Sequence, residues 1–221
     1  MTTPIAQIPK PDAEGFKDKR KLFLIPIILT SPDMPSDGQA LVERYWSEVR
    51  DQVANLEGSL GEVRHVYHEA VYDEGDEGTR MLEALNPKGY SFIQAMCQSS
   101  ARLEATDDRA LLEEATDWQR CLAMGLVSEK ALSTAVEGYQ RATSGRFEHI
   151  GKRIGETLKE NEAGALFIRE DHRVQFPDDI QVFYVAPPAL DALKRWINDQ
   201  ARSASQTRQR PEEPGEGEAA Q

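Results

Sequence analysis

Two short runs rich in β-branched and aromatic residues constrain this chain more than any other feature. They are Ala165-Leu-Phe-Ile168 and Ile180-Gln-Val-Phe-Tyr-Val185, with a long helical pattern before them and an amphipathic one after. Apolar runs of that length between helical segments read as strands at the edge of an α/β sheet. Arg169-Glu-Asp-His172 closes the first run, at the kind of strand end where open α/β sheets place their ligands.

Two earlier runs add strands. Leu22–Leu29 follows Lys17, Lys19, Arg20 and Lys21, so it imitates a signal peptide. It is only eight residues long and Pro26 interrupts it, which is too short to cross a bilayer. A buried strand is the better reading, and the cytoplasm the expected location. Val63–Tyr67 reads as the second strand, with His65 on its half-buried face.

The helices follow from apolar spacing. Pro32, Asp33 and Pro35 make a turn, and Ser36-Asp-Gly-Gln39 has the spacing of a capping box. Val42, Trp46, Val49, Val53, Leu56 and Leu60 then form one stripe, ended by Gly58 and Gly61. After the acidic loop Asp73–Glu77, which lacks the ligand alternation of a calcium loop, Met81, Leu82 and Leu85 mark a helix stopping at Asn86-Pro87. Phe92, Ile93, Met96 and Cys97 mark a second. Thr106 reads as the N-cap of a third, burying Leu111, Leu112, Ala115, Trp118 and Leu122. Ser128 caps a fourth, whose stripe runs from Leu132 through Val136, Tyr139, Phe147, Ile150 and Ile154 to Leu158, with a kink expected at Ser144-Gly145. Gly151 and Gly155 sit four apart on it, a spacing that lets a neighbouring element pack closely or serves a dimer contact. Pro187-Pro188 opens the last helix, docked through Leu190, Leu193, Trp196 and Ile197.

The pattern predicts one α/β domain over residues 21–200. Its sheet is mixed or mostly parallel, of about four or more strands, with helices on its faces and a helical insertion between the second and third strands. Residues 1–20 read as a disordered leader and 201–221 as a disordered acidic tail. The net charge of −12 argues against a broad nucleic-acid surface. Cys97 and Cys121, the only cysteines, read as reduced core residues.

With parallel strands, the carboxyl ends gather Thr30, Ser31 and Asp33, then His68 and Glu69, then Arg169, Glu170, Asp171 and His172. His68, Glu69 and His172 are the candidate ligands for a divalent metal. Asp33, Glu170 and His172 are the candidate catalytic acid–base groups, since histidine titrates near neutrality. The competing reading makes 170–173 a solvated turn. No G-x-G-x-x-G, P-loop, G-x-S-x-G or H-E-x-x-H motif occurs.

Arg146-Phe-Glu-His-Ile150, Ile154-Gly-Glu-Thr-Leu158 and Glu162-Ala-Gly-Ala-Leu-Phe-Ile168, ending near His172, resemble the closing segment of TraB/TIKI-type metal-dependent hydrolases and of a group of bacterial conserved proteins. The resemblance covers residues 146–172. It implies hydrolysis at a metal, with a catalytic acid after the first strand, a place only Asp33 fills. It also implies a strand-end histidine at His172, preceded here by Arg169-Glu-Asp rather than by small residues. The helix–strand–strand–helix order is similar, too, to the α/β domains of release-factor and ribosome-rescue proteins. The first functional expectation is a domain that acts by interaction, with a protein partner or a second copy of itself, through an apolar patch along the Leu132–Leu158 helix. The alternative is the metal-dependent hydrolase.

Overall fold

The computed structural model describes residues 19–28, 30–31 and 33–209, with side chains through residue 203. In chain order the elements are β1 (Arg20–Pro26), α1 (Ser36–Leu60), β2 (Val63–His68), α2 (Gly75–Leu85), α3 (Tyr90–Ser99), β3 (Arg102–Leu103), α4 (Arg109–Ala123), α5 (Glu129–Thr157), β4 (Ala163–Ile168), β5 (Ile180–Tyr184) and α6 (Pro188–Gln209). The strands form one parallel sheet in the order β3-β2-β4-β1-β5. The fold is α/β, as expected.

The run Ala165–Ile168 is therefore not at an edge. Strand β4 lies in the middle of the sheet between β2 and β1, and all six of its residues are buried. A strand covered by helices on both faces reads as continuously apolar rather than alternating. The edges are β5 and the two-residue β3, a strand too short to leave a sequence signal.

Alternation along the strands divides the core in two. Phe23, Ile25, Val66, Ala165 and Phe167 face α1, α2, α3 and α6. Leu22, Leu24, Tyr67, Leu166 and Ile168 face Phe147, Ile150, Ile154 and Leu158 of α5. Residues 169–179 link β4 to β5 without a helix and cross α5 where it is narrowest. A Cβ on Gly151 would lie 2.5 Å from the carbonyl oxygen of Gln175, and one on Gly155 would lie 3.2 Å from Pro177. The glycine pair thus serves close packing within the chain.

Several expected boundaries move. Pro35, not Ser36, is the N-cap of α1, and no side chain caps that end. Gln39 instead donates from Nε2 to the carbonyl of Met34. The N-cap of α4 is Asp108, whose carboxylate accepts from the Leu111 N–H, because Thr106 is drawn into the end of β2. Ser128 does cap α5, which runs unbroken through Ser144-Gly145. Helix α6 continues to Gln209, well into the segment expected to be a disordered tail, and β1 starts at Arg20 inside the expected leader. Residues 1–18 and 210–221, and Leu29 and Pro32, lie outside the described residues.

Helix α4 finds its packing partner in α5. Gly138 lets the Trp118 ring lie against the α5 backbone, and Gly145 admits Leu111. At about 1.5 Å per residue, α5 is roughly 43 Å long, about twice the length of the strand beside it. Only its second half, from Arg146 onward, lies on the sheet. The first half and α4 form a helical hairpin that projects beyond the carboxyl edge. No helix among the described residues is long and apolar enough to cross a membrane.

Candidate functional site

The carboxyl edge of the sheet carries every sequence-predicted site residue, yet the structure sorts them onto different faces. His68 and Glu69 are consecutive at the end of β2, so their side chains point to opposite sides. The His68 ring stacks near Phe167, with centroids 6.1 Å apart, and is 2% exposed. Its Nδ1 lies 2.6 Å from the Glu69 carbonyl and its Nε2 lies 3.4 Å from Asn86 Nδ2. A carbonyl can only accept, so Nδ1 carries the proton; the Asn86 amide nitrogen can only donate, so Nε2 is the acceptor of a neutral ring. Burial pushes its pKa down to about 4.

Glu69 turns toward α5 instead. Its Oε1 lies 2.7 Å from Arg169 Nε, 2.6 Å from Arg169 Nη2 and 3.3 Å from Arg146 Nη2. Its Oε2 accepts from the Arg169 backbone N–H at 3.0 Å. Burial alone would raise the carboxyl pKa, but Arg169, helped by Arg146, outweighs that and holds it below the usual range. Glu69 is a fixed anion with both oxygens committed.

His172 is half-buried on the α5 side. Its ring tilts against Phe176, its Nδ1 accepts from the Val174 N–H at 3.2 Å, and burial lowers its pKa. Glu170 points the other way, toward β5 and α6. It accepts from Tyr184 Oη and from Lys194 Nζ, both at 2.6 Å. Asp33 is exposed in the β1–α1 loop, where its N–H donates to Ser31 Oγ. The expected catalytic set of Asp33, Glu170 and His172 therefore does not converge.

The expected metal set also comes apart. Among the described residues, no three His, Cys, Asp or Glu side chains stand together as a metal requires. For His68, Glu69 and His172 the physical reason is the pleat between His68 and Glu69, together with the two guanidiniums on Glu69.

The edge holds instead a buried ion network that sequence reasoning missed. Arg146 donates from Nε and Nη2 to Asp107 at 3.1 and 2.5 Å, and Asp107 also accepts from the Ala70 N–H at 2.9 Å. Ala70 has a left-handed backbone with φ of 68°, so that bond pins a turn an alanine does not favour. One signal was present. Arg146 stands four residues before Ile150 on an apolar stripe, and a charge there demands a buried counter-charge. A second unpredicted linkage joins His65 to Glu104 at 2.9 Å and to Glu162 at 3.0 Å, tying β2 to the segments flanking β3 and β4.

The surfaces open to other molecules among the described residues include one at this edge and one on the hairpin. A cleft of about 480 Å³ lies between the β1–α1 loop and the α2–α3 turn. The tip of the hairpin, Met124-Gly-Leu-Val127, leaves Met124 83% and Val127 100% exposed. Below the tip, a shallow groove between α4 and α5 is lined by Trp118, Cys121, Leu126 and Ala135. No protein-family model, curated protein or solved structure matches this chain.

Proposed function

We propose that the protein acts by interaction, seating the apolar tip of its α4–α5 arm in a recess of a protein partner. The observation that carries this reading is the exposure of Met124 and Val127 at the end of a projecting, rigidly packed hairpin. Fully burying such side chains stabilises a complex by about 1.5–3 kcal/mol each, enough to make them anchors. The arm between residues 109 and 141 has four basic and five acidic residues, nearly balanced in a chain of net charge −12. That balance suits a protein surface better than an anionic bilayer or a nucleic acid. The two free cysteines, Cys97 and Cys121, fit the cytoplasmic setting proposed with it.

A photo-crosslinking residue at position 127 tests the reading in cells. A discrete crosslinked species of one mass, absent with the probe at Glu113 and lost in Met124→Asp, supports it. A crosslink to a second copy of the chain would make the partner a homodimer. No crosslink, or identical products from both positions, overturns it.

A further inference from the structure

The cleft between the β1–α1 loop and the α2–α3 turn has the position, size and lining of a ligand site. Strand β1 feeds α1 on one face of the sheet, whereas neighbouring β4 feeds a segment that crosses α5 on the other. Where adjacent parallel strands send their chains to opposite faces, a crevice opens at their carboxyl ends, and α/β proteins bind ligands there. The volume of about 480 Å³ falls within the range of small-molecule sites.

The chemistry of the lining sets the ligand class. Thr30, Ser31, Gln39, Asn86 and Lys88 supply polar groups, and Val42 and Leu85 supply apolar wall. Among the described residues that line it there is one ammonium and no carboxylate, although 38 residues of the chain are acidic. The first turn of α1 adjoins the same wall without a side-chain cap, its partial positive charge offset by Asp37, which accepts from Trp196 Nε1. About two turns further along α1, Trp46 is 5% exposed and its Nε1–H has no acceptor among the described residues. Leaving such a donor unmet costs about 1–3 kcal/mol. The six-membered edge of its ring and Asn86 Oδ1 both come within 2.8 Å of the point a Cβ on Gly89 would fill. The six-membered edge of the Trp46 ring therefore packs behind Asn86, outside the residues that line the cleft.

We propose that this cleft binds a small organic anion, a carboxylate or a phosphate ester, with the oxyanion held by Lys88 and the Thr30 and Ser31 hydroxyls. Its apolar part lies against Met34 and Leu85, and the cleft works independently of the arm.

The test is an NMR titration of the full-length protein with inorganic phosphate and, separately, with butyrate, at constant ionic strength with a chloride control. Saturable shifts confined to the amides of Thr30, Ser31, Asn86 and Lys88 are expected. Whichever probe saturates first identifies the oxyanion. Lys88→Ala should weaken binding about tenfold, the loss of one charge-assisted contact, at an unchanged melting temperature because Lys88 is exposed. Ala84→Glu, which puts a carboxylate on the exposed wall, should abolish it, and Lys88→Arg should restore most of it. The proposal is overturned if neither probe saturates, if shifts scatter over surface lysines and arginines, or if Lys88→Ala binds as wild type does.

Discussion

Arg146 Nη2 lies 2.5 Å from Asp107 Oδ2, with the two side chains 4% and 0% exposed, and this contact fastens α5 to the segment between β3 and α4. The pair is isolated from water, and Arg146 also reaches Glu69 at 3.3 Å, so its members depend on one another more than a surface ion pair would.

Replacing Arg146 by Met should therefore cost about 3–5 kcal/mol of folding stability, because it strands the Asp107 charge in the interior. Asp107→Asn added to that variant removes the stranded charge, so the double variant should be the more stable of the two. Urea unfolding measures both. A loss below about 1 kcal/mol in Arg146→Met would show that the network contributes little.

The neutral His68 sets an acid limit. An unfolded histidine titrates near pH 6.5, whereas burial holds His68 down to about 4. Between those values the unfolded chain binds a proton that the folded chain refuses. Stability is then complete above about pH 6.5 and falls as pH drops toward about 4, by an amount on the order of 3 kcal/mol. His172 shifts in the same direction and adds to the slope. Glu69 is lowered, so its contribution is lost only at still lower pH. Thermal unfolding between pH 7 and 4 should show this fall in wild type and a shallower one in His68→Gln. Parallel curves would disprove the assignment.

Gly151→Ala should destabilise by about 1–3 kcal/mol, since its Cβ would fall 2.5 Å from the backbone oxygen of Gln175 and the link must shift. Gly155→Ala meets only the edge of Pro177, at 3.2 Å, and should cost less. Hydrogen exchange should locate the damage in residues 169–179. Equal costs at the two glycines would contradict the crossing geometry.

What the chain declares by itself is periodicity. The stripe Val42–Leu60, the apolar strands and the Ser128 cap depend on local spacing and local hydrogen bonds, so α1, β1, β2, β4, β5 and α5 were all legible. Position in the sheet was not. Ala163–Ile168 has the same apolar character wherever it pairs, and only the crossover from α5 decided that β4 enters between β2 and β1. The candidate site failed for the same reason. Listing His68, Glu69, Glu170 and His172 at strand ends was correct, but whether side chains meet depends on which face each one takes and which partner arrives there first. Arg146 comes from a helix 77 residues beyond Glu69, and Arg169 from a strand 100 residues beyond it. Those distant charges claimed the carboxylate, and separations of that size are fixed only when the whole chain has packed.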